Sequence, residues 1–244
     1  MMTKFLYRNI LLILALPLFF LSCNDEEEDK VFELEVDAYI VKRQIDDVTK
    51  YANAYFAYGN KAIESATVTP PAGVGGSVEL AASESSISVF FREPAMEDFT
   101  TMSPTQGNYV FDVESREGEV LQQSDMLEGE QLEIPEITEV TYQSNIETMT
   151  VKWDPEVVAD GFVVKLLDQN KKVVFVSYTL IASAEEYDIN QISGNWDGTA
   201  YLGEDYTIQV QAFTVESTAT EDNGLYNINE VAIAEKAVTW GPQD

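Results

Sequence analysis

Apolar and polar residues alternate along several short stretches in the C-terminal half of the chain. The clearest run, Thr148–Trp153, has apolar side chains at every second position, and Phe162–Leu166 and Tyr206–Ala212 repeat this pattern. Alternation with a period of two is typical of a β-strand with one buried face. Turn-forming pairs separate the runs: Asp154-Pro155, Asp160-Gly161, Gln169-Asn170 and Asp197-Gly198. Antiparallel β-structure is therefore predicted for this half.

The N-terminal half contains weaker runs of the same kind. Candidate strands cover residues 37–42, 51–58, 62–69, 77–81, 86–91 and 108–115, and the stretch from Pro70 to Gly76 interrupts them. The alternation of Tyr109–Ser115 repeats that of Tyr206–Ala212 about one sandwich-domain length earlier. Gln44–Tyr55 is ambiguous between helix and strand. The pattern predicts a second β-sandwich ahead of the first.

Residues 1–30 differ in composition from the rest of the chain. Lys4 and Arg8 precede an apolar stretch, Ile10–Leu21, which ends at Ser22-Cys23. This stretch is shorter than the roughly 20 residues that a membrane-spanning helix needs, so it predicts a cleaved signal peptide. The alternatives are a chance Ser-Cys pair in a secreted protein and an uncleaved anchor.

The residues around the cysteine resemble sorting signals of bacterial lipoproteins. Leu18–Cys23 resembles a lipobox, which implies that Cys23 is acylated and becomes the new N-terminus. The acidic run Asn24–Asp29 resembles the export signal of Bacteroidota-type surface lipoproteins, which implies an outer-membrane, cell-surface location. A solvated flexible tether is the alternative for this run, and both descriptions can hold together.

The charge of the chain restricts its partners. It contains 14 basic and 43 acidic residues, a formal net charge of −29, and every acidic residue follows position 22. Such a surface repels phosphate backbones, so nucleic acid is excluded as a partner. It also opposes adhesion to anionic lipid, which leaves the acyl chains on Cys23 as the expected membrane contact. No Asp-x-Asp-x-Asp-Gly loop occurs, so no metal site and no cofactor is predicted.

Most catalytic chemistry is also excluded. Histidine is absent and Cys23 is the one cysteine, which removes Ser-His-Asp and Cys-His nucleophiles and histidine-ligated zinc. Two carboxylates alone can hydrolyse glycosides. The adjacent acidic pairs are Asp46-Asp47, Glu185-Glu186 and Glu204-Asp205, and among 43 acidic residues they indicate solvated faces. A binding protein rather than an enzyme is predicted.

The C-terminal half resembles a fibronectin type III domain. Thr148–Pro155 is similar to the second strand of that family, Gly161–Leu166 to its third and Gly203–Ala212 to its sixth. The resemblance spans about Ile134 to Trp240 and implies that Trp153 is a core residue and Tyr206 a tyrosine corner. It departs at Ala200 and Leu202, where the family usually has leucine and proline.

These features together predict an all-β protein with two tandem immunoglobulin-like or fibronectin type III-like β-sandwiches after a lipoprotein signal peptide. The predicted boundaries are a signal peptide at 1–22, a lipidated acidic tether at 23–30, an immunoglobulin-like domain at 31–133 and a fibronectin type III-like domain at 134–244.

Aromatic residues near predicted loops are the candidate ligand-binding residues. Sugar rings stack on flat aromatic side chains, while neighbouring carboxylates and amides bind their hydroxyl groups. The candidates are Trp196, Tyr201 and Tyr226, with Asn195 and Asp197 beside them. The alternative for Trp196 is that it folds back over one end of the sandwich.

The organisation of the chain resembles Sus-type glycan-utilisation lipoproteins, which hold polysaccharide at the cell surface for a partner transporter. That resemblance implies a glycan ligand and an outer-membrane uptake system as partners. The alternative is a structural or protein-interaction lipoprotein, such as a spacer, an adhesin or a pilus-type accessory, whose partner is another surface protein. Long apolar edge strands would favour the second function through strand addition.

Overall fold

Strands make up nearly all the regular structure of the protein. The computed structural model describes residues 31–129, 132–154, 156–220 and 227–242. The first strands are β1 (Leu34–Ile45), β2 (Val48–Gly59), β3 (Ile63–Thr69), β4 (Val78–Glu79), β5 (Ala81–Ala82), β6 (Val89–Arg92), β7 (Gly107–Ser115) and β8 (Val120–Leu127). The later strands are β9 (Ile137–Gln143), β10 (Thr148–Trp153), β11 (Gly161–Leu167), β12 (Val173–Ser177), β13 (Leu180–Ile181), β14 (Glu186–Ile189), β15 (Gly194–Trp196), β16 (Asp205–Val215) and β17 (Ile228–Thr239). A 3-10 turn at Met96–Asp98 is the one helical element in the described ranges, so the predicted all-β class is confirmed.

The C-terminal half folds as a β-sandwich. A three-stranded sheet, β14-β10-β9, faces the strands β12, β11, β16 and β17 of a larger sheet. The alternating residues predicted from the sequence fill the space between them, and the indole of Trp153 packs 5.3 Å from the ring of Phe162. The fibronectin type III-like sandwich predicted for this half is confirmed.

The tyrosine corner of that sandwich is also present. The hydroxyl of Tyr206 accepts a hydrogen bond of 3.0 Å from the backbone N–H of Tyr201, five residues upstream. The loop is further held by Gly203, whose N–H donates to the carbonyl oxygen of Trp240 over 2.7 Å. These bonds fix the loop that carries Tyr201, one of the candidate ligand residues.

The N-terminal half forms a sandwich of its own. The sheet β4-β3-β7-β8 covers one face of β1, β2, β6 and β5, and side chains from both layers form a separate core around Tyr55 and Phe111. The ambiguous segment Gln44–Tyr55 belongs to the β1–β2 hairpin rather than to a helix. Asp46 and Asp47 occupy its turn with φ values of 53° and 61°, as a two-residue hairpin turn requires.

One sheet runs through both halves. Strand β1 pairs in parallel with β17, with Ile40–Arg43 opposite Glu230–Ile233. The resulting order is β15-β12-β11-β16-β17-β1-β2-β6-β5, with β13 attached to β11. We refer to it as the shared sheet. The domain boundary at residues 133 and 134 remains a prediction, because the two cores are separate while the sheet beneath them is continuous.

A buried ion pair lies at the junction of the two halves. The Nζ of Lys42 on β1 is 2.9 Å from Oε1 of Glu230 on β17, and the Glu230 side chain has no exposed surface. Leu132, in the connection between β8 and β9, completes this cluster. Its N–H donates to Oε2 of Glu230 over 2.9 Å, and its carbonyl oxygen accepts from Nζ of Lys42. Each charge is therefore compensated, and the connection is held against the shared sheet.

Candidate functional site

Trp196 lies on a short edge strand rather than in a turn. It pairs with Phe175 across β15 and β12, and the two ring centroids are 4.8 Å apart. Its other neighbour is Trp240, 6.1 Å away and perpendicular, and its Nε1–H donates to the carbonyl oxygen of Asn190 over 2.9 Å. The half-buried indole thus packs against the edge of the core and has a fixed orientation.

A pocket of about 280 Å³ opens beside this indole. It is lined by Glu147, Gln191, Trp196, Gly198, Thr199, Ala200 and Trp240. Two aromatic walls, one carboxylate and one amide provide both a stacking surface and hydrogen-bonding groups. The polar side of this pocket was not predicted, because Glu147 comes from the β9–β10 turn, far from Trp196 in the chain, and no local pattern distinguishes Gln191, which lies five residues before Trp196.

A second, wider pocket of about 470 Å³ adjoins the first. Gly198 and Thr199 line both pockets, and Tyr201 belongs to the second. The ring of Tyr201 is 64% exposed, which leaves its surface available to a ligand. The tyrosine corner holds its backbone, so the side chain projects from a fixed loop.

The rim of the second pocket is acidic. Asp168, Glu204 and Asp205 line it together with one cation, Lys172. These carboxylates also have structural partners: Oδ1 of Asp168 accepts the N–H groups of Asn170 and Lys172 within its hairpin loop. The excess of negative charge opposes anionic ligands and is compatible with neutral, polyhydroxylated ones.

Asn195 and Asp197 do not contribute to either pocket. Asn195 precedes Trp196 on β15, so its side chain points to the opposite face of the strand. Asp197 is exposed and its Oδ2 lies 3.1 Å from Nζ of Lys172, in a surface ion pair. Trp196 and Tyr201 therefore line the two adjoining pockets that share Gly198 and Thr199, whereas Asn195 and Asp197 line neither pocket.

Two predicted functional residues, Cys23 and Tyr226, lie outside the described residues. Lipidation at Cys23 and ligand contact at Tyr226 accordingly stay predictions. In the part of the chain that the structure describes, no helix has both the length and the apolar composition to cross a membrane.

Comparisons with known proteins give similarity only to solved structures. No family model and no curated protein matches the chain. It is similar to the BSP domain of a biofilm-associated protein, with 15% identity and a TM-score of 0.25 over 86% of this chain and 30% of that one. A two-domain fibronectin type III segment of chicken tenascin matches with 11% identity and a TM-score of 0.28, over 85% and 99% of the two chains. A tetra-tandem repeat from the extending region of a large adhesion protein matches with 12% identity and a TM-score of 0.26, over 84% and 49%.

Proposed function

We propose that this protein is a non-enzymatic, lipid-anchored surface protein whose two sandwiches act as a structural or protein-interaction module. The observation that carries the proposal is the shared sheet. Parallel pairing of β1 with β17 and the buried Lys42–Glu230 pair join the two halves directly. Tandem domains connected by a linker alone can rotate, whereas a continuous sheet holds them at a fixed spacing.

The composition supports the non-enzymatic part of this proposal. The chain has no histidine, and its single cysteine is the predicted lipidation site, so general bases and thiol nucleophiles are not available from those residues. The carboxylates around the second pocket, Asp168, Glu204 and Asp205, accept hydrogen bonds from neighbouring residues of the protein. Binding, rather than bond cleavage, is the activity that these groups fit.

Anchoring and orientation can be tested in intact cells. We expect labelled palmitate to enter the wild-type protein and not Cys23→Ala, and we expect protease added outside the cell to digest the wild type. Label that persists in Cys23→Ala would contradict lipidation at this residue. Full protection before lysis, with digestion afterwards, would place the protein in the periplasm.

The role of the shared sheet can be tested by hydrogen exchange on the full chain in detergent. If the sheet joins the halves, slowly exchanging amides of β2 and β16 should report the same opening free energy. Lys42→Met, which removes the cation from the junction, should separate the two values. Different opening free energies in the wild type would show that the halves unfold independently and would contradict the proposal.

Glycan binding is the second candidate function, supported by the two adjoining pockets beside Trp196 and Tyr201. Affinity electrophoresis of the full chain in gels containing individual polysaccharides tests it. Tyr201→Ala should abolish retardation, whereas Tyr178→Ala, which removes another exposed tyrosine that lines neither pocket, should leave it intact. Retardation lost in Tyr201→Ala alone would make glycan binding the better description of function. The absence of retardation for the wild type, or equal retardation of both variants, would remove this candidate.

A further inference from the structure

Three carboxyl groups from distant parts of the chain meet inside the protein. Asp37 is on β1, Asp125 is on β8, and Glu216 directly follows β16. One carboxylate oxygen from each residue lies within 4.8 Å of those of the other two. The three residues are 2%, 7% and 6% exposed. We call this group the acidic triad.

Hydrogen bonds from neighbouring groups fix the orientation of each carboxyl. The N–H of Ile228 donates to Oδ2 of Asp37 over 3.0 Å, and the N–H of Ala38 donates to Oδ2 of Asp125 over 2.8 Å. Glu216 accepts a longer bond of 3.3 Å from a threonine hydroxyl two residues further on. Backbone groups of β1 and β17 thus position the acids, which makes the triad part of the junction.

Two oxygens of the triad have no donor. Oδ1 of Asp37 and Oε1 of Glu216 are shielded from solvent and accept no hydrogen bond. The side-chain oxygen of Asn229, which is 1% exposed and lies next to Ile228 on β17, is in the same condition. An unsatisfied buried oxygen costs free energy, and a buried carboxylate without a counter-charge costs considerably more. These oxygens need a ligand that accepts electron pairs.

The described residues provide no cation for the triad. None of the ion pairs formed within the described ranges involves Asp37, Asp125 or Glu216. Burial raises the pKa of Asp37 well above its usual range, and the negative charges of the other two acids raise it further. Burial, followed by the charge of Asp125, raises the pKa of Glu216 to about 7. The charge of Asp125 therefore makes ionisation of both Asp37 and Glu216 more costly, and the Asp125 and Glu216 side chains share a hydrogen bond.

We propose that the acidic triad binds a calcium ion. Calcium takes carboxylate and carbonyl oxygens at about 2.3–2.6 Å, so two ligands of one ion lie at most about 5 Å apart. The 4.8 Å limit on the oxygens of the triad fits this span. Magnesium demands near-ideal octahedral geometry at about 2.0–2.1 Å and gives up its waters reluctantly, so a buried set of protein oxygens suits it less well than calcium. Two carboxylate oxygens without hydrogen bonds are ready-made ligand atoms.

The ion would connect elements from both halves of the protein. Asp37 and Asp125 belong to the N-terminal sandwich, and Glu216 follows the longest strand pairing of the C-terminal one. A divalent cation would neutralise most of the triad's charge and add a third junction contact to the β1–β17 pairing and the Lys42–Glu230 pair. The inference goes beyond the proposed function, and its test does not depend on membrane location or on a partner.

Thermal unfolding of the full chain in detergent, after removal of metal with chelator, tests the proposal. Calcium at about 100 times its dissociation constant should raise Tm by about 5–10 °C. Isothermal titration calorimetry should give one strong site per chain. Magnesium at the same concentration should produce a clearly smaller shift, and an equal shift would overturn the assignment to calcium.

Matched variants separate the triad from the general acidity of the surface. Asp37→Asn with Glu216→Gln should lose the calcium-dependent rise in Tm. Asp46→Asn with Asp47→Asn, which removes two exposed carboxylates at the β1–β2 turn, should keep it. An unchanged Tm of the wild type in calcium, or an equal rise in both double variants, would show that the triad holds protons and not calcium.

A luminescence measurement covers the case in which the first double variant does not fold. Terbium replaces calcium at oxygen sites and emits when a nearby aromatic ring transfers energy to it. Tyr39 is a suitable donor: burial raises the pKa of its phenol, and the nearby charge of Asp37 raises it further, which places the ring close to the triad. The wild type should show sensitised emission that calcium displaces, and Asp125→Asn should reduce it at least tenfold. Emission that Asp125→Asn leaves unchanged would overturn the proposal.

Discussion

The strands β1 and β17 bury charge at two places, and the two differ in how that charge is satisfied. Lys42 and Glu230 neutralise one another, and the N–H and carbonyl groups of Leu132 form one hydrogen bond with each of them. A few residues earlier on β1, Asp37 contacts two further acids and has one oxygen without a donor. The charges of the first site are compensated within the protein, while those of the second are compensated only when protons or a metal ion are added.

This contrast shows that burial alone does not determine what a charged residue contributes. A buried ion pair is destabilised by the loss of one member, because the remaining charge would be stranded. A group of like charges responds in the opposite way, since the loss of one member relieves repulsion. The two sites should therefore respond with opposite signs to the removal of a charge.

The largest effect is expected from Lys42→Met. The substitution strands the fully buried carboxylate of Glu230 and should lower the free energy of unfolding by about 3–5 kcal/mol. Urea unfolding, followed by tryptophan fluorescence, measures it. A loss below about 1 kcal/mol would contradict the burial of this pair. The expected contrast between the Lys42–Glu230 pair and the acidic triad would then be wrong.

Removal of a neutral, buried hydroxyl should lower the free energy of unfolding by less than removal of the buried cation Lys42. Tyr206→Phe keeps the ring and removes the acceptor of the Tyr201 N–H, so the free energy of unfolding should fall by about 1 kcal/mol. The same urea titration measures this loss. A loss equal to that of Lys42→Met would show that the charge of the junction pair has no special weight.

Asp125→Asn should change stability in the opposite direction when calcium is absent. The amide oxygen can still accept the N–H of Ala38, while the repulsion within the triad decreases. In chelator, the free energy of unfolding should rise by a fraction of the roughly 1.4 kcal/mol that one pKa unit represents. Urea unfolding at pH 7.5 measures this rise, and a clear loss of stability would show that the triad is satisfied without added cations.

The smallest effect is expected at the surface. Lys172→Met breaks the ion pair with Asp197, whose side chain is 79% exposed. Solvent screens this pair, so the change in unfolding free energy should stay below about 0.5 kcal/mol. A loss comparable to that of Lys42→Met would indicate that the substitutions disturb packing rather than charge.

The fold was predictable from the sequence wherever the pattern is local. The alternation in Thr148–Trp153 and Tyr206–Ala212 indicates the faces of β10 and β16, and the family resemblance implied both the buried Trp153 and the corner at Tyr206. The segment Gln44–Tyr55 stayed ambiguous because most of it belongs to β2, whose first four residues are exposed or only partly buried. Buried and exposed positions do not alternate clearly there, so the period of two is lost.

The junction was not predictable, because it depends on pairing between residues far apart in the chain. Ile40 lies opposite Glu230, and no local pattern indicates that the first and last described strands are neighbours. The acidic triad combines three residues that are each one of 43 acids. The available signal was Asp37 itself, a charge between the apolar residues Val36 and Ala38. That signal indicates burial but does not identify the other two acids.

The pairing of β1 with β17 also determines the order in which the molecule can be completed. The second half of the chain must be available before β1 obtains its parallel neighbour, so the N-terminal sandwich keeps an unpaired strand edge during synthesis. Contacts of such long sequence separation form late and slow folding. Closing the shared sheet is therefore expected to be the last step of folding, after the entire polypeptide has been synthesised.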